Sequence, residues 1–178
     1  LINTFTVNNL LRLSKDRLSG RIAVEDIPSG HMFLTGVMEA MDESHEIIIT
    51  YQKYTKTESE SFTLHPYAVK EFAKRWYVIA YCKERSDLRV YGLDRVKSLE
   101  MTENKFRMPE NFDVDELFST SFGIYIPEGK PMFIKYRAAD EKQSKYLRDL
   151  PIHRSQEELG HDGKGNVFRI FVCPNDNL

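Results

Sequence analysis

The period of the hydrophobic pattern changes at Glu46, and that change constrains the fold more than any other feature of the chain. From there to about residue 101, apolar side chains recur at every second position in short runs, with no long helix between them. The run EIIITYQKYT divides into two faces, Ile47/Ile49/Tyr51/Lys53 and Ile48/Thr50/Gln52/Tyr54. In SESFTLHPYAV, Phe62 and Leu64 oppose Ser61, Thr63 and His65. Pro66 has no N–H to give a ladder, so this strand is expected to end there or to become an edge. KRWYVIAYC is a third strand and ERSD a turn. LRVYGLDRVKSLEM holds one or two more strands, with Gly92 as a bend. Short strands in such quick succession predict a small barrel or a strongly curved sheet.

Helical signals flank this region. NNLLRLSKDRLSG carries Leu10, Leu13 and Leu18 near helical spacing, with Gly20 at a helix end. In IPSGHMFLTGVMEAMDES, Ser29 is an expected N-cap. Phe33, Val37 and Met41 share one face, with Leu34 and Met38 beside it. After the strands, NFDVDELFSTSFG pairs Asp113 with Glu116 as a capping box, and Gly123 stops the helix. PEGKP is a linker. The tail reads as strand (PMFIKYRA), helix (capped by Asp140 with Gln143 behind it) and a hairpin turning at HDGKGN before VFRIFV. The chain begins LINTF and ends CPNDNL, which reads as an excised piece of a longer protein.

Composition narrows the function classes. Across 178 residues, 25 Lys+Arg against 27 Asp+Glu give a net charge of −2, which argues against non-specific coating of nucleic acid but leaves room for a local basic pocket. Cys82 and Cys173 stand far apart with no CxxC, so neither a disulfide scaffold nor a zinc site is expected, and a cytoplasmic setting fits. No apolar run approaches a membrane span. There is no GxSxG, HExxH, P-loop or GxGxxG, so no enzyme and no cofactor are implied.

HPYAVKEFAKRWYVIAYC followed by LRVYGLDRVKSLE resembles the WYL domain of bacterial transcriptional regulators. The Trp-Tyr-Leu run reads Trp76-Tyr77-Val78 here. His65-Pro66 precedes it, and Arg89-Val90-Tyr91 and Leu93-Asp94-Arg95-Val96 follow in order. The resemblance runs from about Met41 to Ile124. It implies an α+β chain whose centre is an Sm-like, SH3-type small β-barrel. The expected division is a helical linker or dimerisation segment (1–45), the WYL barrel (46–108), a helical linker (109–126) and a partial C-terminal α/β extension (127–178). The resemblance also implies an effector-sensing and oligomerisation region of a regulator. The upstream winged-helix domain, absent from this chain, would read double-stranded DNA, and the expected assembly is a homodimer.

Read from the residues, the polar positions free to converge are Tyr51, Lys53, His65, Tyr67, Arg75, Arg89 and Arg95, with Trp76 and Tyr77 as aromatic candidates. Guanidinium and ammonium donors beside phenol and imidazole suit phosphate, and exposed rings stack bases. The expected ligand is an anionic effector, a single-stranded nucleic acid or a nucleotide-like molecule. Trp76 and Tyr77 also fit plain core positions, His65 a satisfied edge histidine, and Asp94-Arg95 a surface ion pair. Arg89 is the strongest functional candidate. Flanked by apolar neighbours in a strand, it needs an acid, an anion or solvent. The alternative reading is a protein-interaction and dimerisation module whose basic face is filled by carboxylates.

Overall fold

The alternating runs form five strands: β1 (His45–Tyr51), β2 (Glu60–Phe72), β3 (Arg75–Cys82), β4 (Asp87–Gly92) and β5 (Val96–Lys105). They are seen in a computed structural model that describes residues 30–175. All neighbours are antiparallel, in the order β4-β3-β2-β1-β5. The outer strands β4 and β5 are consecutive in the chain, joined only by the 3-10 turn Leu93–Arg95. A flat sheet of this order would put its edges about 19 Å apart, whereas a three-residue 3-10 turn advances about 6 Å. The sheet must therefore curl until its two edges meet at this corner.

The curl encloses one apolar core. Ile47, Ile49 and Tyr51 of β1, Phe62 and Leu64 of β2, Val78, Ala80 and Cys82 of β3, Tyr91 of β4, Leu93 and Val96 all contribute to it. The short helix α1 (Leu34–Glu43) caps it with Val37 and Ala40, while Phe33, Leu34 and Met41 pack alongside. Met38, expected on that stripe, is exposed, and Ala40 takes its place. The helix is entered through a 3-10 turn (His31–Phe33) with no side-chain cap. The expected Ser29 cap and the Leu10–Leu18 helix lie outside the described residues.

Two expectations about the strands offered alternatives, and the structure decides between them. β4 and β5 share no ladder, so the structure is a curled open sheet and not a closed small barrel. The two edge strands meet only through the 3-10 turn that joins them. β2 also does not end at Pro66 but continues to Phe72. The expected edge is nevertheless present on one side, since β2 pairs with β1 only as far as Leu64 and beyond it only with β3. The β2–β3 register slips between Pro66 and Ala68, a bulge that bends the long strand.

On the other face of the sheet, Ile79 and Ala68 meet Phe118, with Phe112, Val114, Leu117, Ile124, Leu88 and Val90 around them. Phe118 follows the one-turn helix α2 (Val114–Leu117), where Asp113 accepts from the N–H groups of Asp115 and Glu116 as the capping pattern predicts. The same segment ties to a second sheet: Ser121 bridges Cys173, and the Cys173 N–H donates to the Thr120 carbonyl at 2.8 Å. That sheet has the order β6 (Met132–Arg137), β8 (Asn166–Val172), β7 (Glu157–His161), with helix α3 (Glu141–Asp149) as the crossover. Asp140 caps α3, and Leu147 packs against Phe168 and Ala138. The two cysteines are buried and unlinked. Among the described residues no helix is long and apolar enough to cross a membrane.

Candidate functional site

The mouth of the curled sheet opens into a cleft of about 530 Å³. Its floor is aromatic because inward positions of three strands end there: Tyr51 of β1, Phe62 of β2 and Tyr91 of β4. Tyr51 meets Tyr91 edge-on, with centroids 5.1 Å apart, and Phe62 lies 5.4 Å from Tyr91. The Tyr51 hydroxyl accepts from the Gly92 N–H at 3.3 Å, and burial pushes its phenol pKa up to about 12. Burial also raises that of Tyr91, with Cys82 adding to the effect.

Four cations stand on the rim: Lys53, Arg85, Arg89 and Arg95. The guanidinium of Arg95 lies between two tyrosines, 5.0 Å from the centroid of Tyr51 and 5.0 Å from that of Tyr54. Its Nε is buried and makes no hydrogen bond. A methyl group at Gly92 would sit 2.6 Å from Asp94 Oδ1 and 3.0 Å from Arg95 Nη2, so the absence of a side chain there lets Asp94 and Arg95 close in. Tyr54 is held in place by its hydroxyl, which donates to Asp94 Oδ2 and accepts from Arg75 Nη1, each at 2.8 Å.

The other rim cations face carboxylates. Lys53 lies 3.2 Å and Arg85 3.7 Å from Glu60, and both also sit over the Phe62 ring. Hydrogen bonds from Lys56 and Lys53 hold the Glu60 carboxyl below its ordinary pKa. Arg89 meets Asp87 at 2.9 Å, with both side chains about half exposed. Pairs this open to water contribute at most about 1 kcal/mol, so an incoming phosphate can displace them.

Residues 32–101 match the family model of the WYL domain. The chain carries a WYL domain. Over 61 residues it is 34% identical to the DNA-binding transcriptional repressor CapW of Pseudomonas aeruginosa, covering 34% of this chain and 20% of that protein. It thus spans about a fifth of the length of that relative. Among solved structures it is similar to the proteasome accessory factor PafBC of Arthrobacter aurescens, at a TM-score of 0.44 and 16% identity, covering 84% of this chain and 22% of that one.

Within the WYL domain the nine candidate residues separate into groups. Tyr51, Lys53, Arg89 and Arg95 come together in the cleft. Arg75 reaches it indirectly, through Tyr54 and Asp94. Tyr77 stands opposite Gly92 on the ladder, where burial raises its phenol pKa and Arg75 lowers it in part. Trp76 points the other way, against the core.

His65 and Tyr67 lie elsewhere, correcting the expectation that they converge with the arginines. His65 and Lys83 each approach the buried Glu46 carboxylate at 2.9 Å. Burial pushes that carboxyl up, and the bonds and charge of Lys83 and His65 outweigh it and leave it below its usual range. The His65 ring stacks on Phe106 at 5.1 Å, and Tyr67 packs against Phe106 and Phe112. This is the satisfied edge histidine. Sequence reading missed Tyr54, Phe62 and Arg85 as parts of the cleft. Phe62 was legible as an inward residue, whereas Arg85 hangs from the turn between β3 and β4, where alternation gives no direction.

Proposed function

We propose that the cleft of this WYL domain binds an anionic effector, a short single-stranded nucleic acid or a nucleotide-like molecule. The observation that carries this reading is the Arg95 guanidinium, stacked between Tyr51 and Tyr54 with no ion pair among the described residues. Lys53, Arg85 and Arg89 stand beside it on an aromatic floor. Phosphate suits the cations, and a base suits the rings. In the whole protein the domain acts as the sensing and dimerising region of a transcriptional regulator, and an upstream winged-helix domain reads double-stranded DNA. The likeness to a DNA-binding repressor supports this regulatory role.

The test is fluorescence anisotropy of a labelled single strand of about 10 nucleotides across a salt series. Three or four phosphate contacts predict a slope of log K against log salt of about −2 to −3. Arg95→Ala and Arg89→Ala should each weaken binding about tenfold or more, from the loss of a charge-assisted bond. Lys97→Ala, exposed on β5 and outside the cleft, should not. Equal effects of all three would refute a specific cleft. A second reading has one observation in its favour: Glu60 and Asp87 already face three of the four rim cations. No binding at any salt would turn the domain into an interaction module whose basic face is neutralised by its own carboxylates.

A further inference from the structure

The second sheet has two unlike faces. One is covered by α3, which packs on Phe168, Ala138 and Tyr136. On the other face, Phe133 of β6 stands directly opposite Phe171 of β8. Their rings lie 4.8 Å apart at 44°, and Phe133 is 55% exposed. The next row on that face is Lys135 opposite Arg169, and the row after it Arg137 opposite Val167. Rows two residues apart fall about 6.6 Å apart along a strand. The Arg169 guanidinium sits 4.5 Å over the Phe133 ring, extending the flat surface by one more stacking plane.

Three cations therefore adjoin an open aromatic pair. Arg169 is paired to Glu157 at 2.5 Å and Arg137 to Asp162, both in pairs open to water. Such pairs are weak enough for phosphates to replace. Lys135 is exposed and has no acidic partner among the described residues. A single exposed Phe would need no explanation. A pair of adjacent rings with cations in the following rows has the chemistry of a surface on which successive bases stack while phosphates track the cations. A second protein copy would cover the rings but leave Lys135 to find an acid, whereas a polyanion answers both. We propose that this face, formed by Phe133, Phe171, Lys135, Arg137 and Arg169, is a second binding surface for single-stranded nucleic acid, separate from the cleft.

The test uses the full chain carrying Arg89→Ala and Arg95→Ala, which silences the cleft whether or not the cleft binds. Anisotropy of a labelled oligothymidylate of about 10 nucleotides at low salt should still report saturable binding. Adding Phe133→Ala should weaken it about tenfold, the loss expected for one stacked base, and Phe133→Tyr should retain it. Lys135→Ala, a surface change that spares the packing, should weaken it and flatten the salt slope by about 0.7. Absence of binding in the cleft-silenced chain, or unchanged affinity in Phe133→Ala, would overturn the proposal. So would a Phe133→Ala chain whose only change is a shift from dimer to monomer in light scattering, since the face would then be a self-contact.

Discussion

Arg89 and Arg95 carry the same charge in the same stretch of chain, yet their surroundings separate them. Arg89 reaches out to an exposed aspartate, whereas Arg95 is inserted between two rings. The first arrangement follows from strand alternation, because Arg89 shares a face with Tyr91 just as Lys53 does with Tyr51. The second depends on the Leu93–Arg95 turn, which no period of two or 3.6 describes. The same turn leaves no room for a side chain at Gly30. Its φ is +117°, and a methyl group there would come within 2.2 Å of the Leu93 carbonyl carbon and 2.3 Å of the Asp94 nitrogen. Both neighbours are backbone atoms with no rotamer to yield. Gly30→Ala is expected to cost about 2–3 kcal/mol and to lower the midpoint of thermal unfolding by roughly 4–12 °C. An unchanged midpoint in differential scanning fluorimetry would show that the α1 entry does not dock on the corner.

Among the elements, the most legible were those whose signals are local. The Asp113 and Asp140 caps, the hairpin at HDGKGN and the strand faces of β1 and β4 all form as their sequences predict. The least legible depended on partners distant in sequence. Pro66 was readable as a residue that cannot donate, but not as one sitting just past the end of β1 in a strand that continues. The split of the nine candidates has the same origin. His65 projects from the face of β2 opposite Phe62, and only the fold shows that Glu46 waits there. The β2–β3 hairpin adds a local irregularity. Phe72 pairs with Arg75 across a two-residue turn in which Ala73 and Lys74 both have positive φ, 48° and 63°. That turn prefers Asn-Gly. The double substitution Ala73→Asn, Lys74→Gly is expected to add about 1 kcal/mol and about 2–4 °C to the unfolding midpoint. A decrease would mean that contacts of the present pair outweigh its backbone strain.

For the molecule as a whole, the aromatic floor links the cleft to stability. The Tyr51 phenol titrates near 10 when unfolded and about 12 when folded. The folded state therefore holds its proton more tightly. The stabilisation is complete below pH 10 and lost as pH rises from there towards 12. A shift of this size corresponds to about 3 kcal/mol. Denaturant midpoints measured from pH 8 to 12 should fall above pH 10, and Tyr51→Phe should flatten part of that fall. The same slope in both proteins would assign the alkaline loss to other groups. A different consequence follows from the meeting of the two edges. β2, β3 and β4 form a meander of short loops, but β1 must find β5 across the whole intervening chain, pairing His45 with Lys105. Chain entropy opposes that closure more than it opposes the local hairpins. The floor draws on β1, β2 and β4, and Arg95 reaches its place only when Tyr51 pairs with Val96. The cleft is therefore assembled only when these strands are in place, and the anisotropy assay proposed for it doubles as a test of the completed fold.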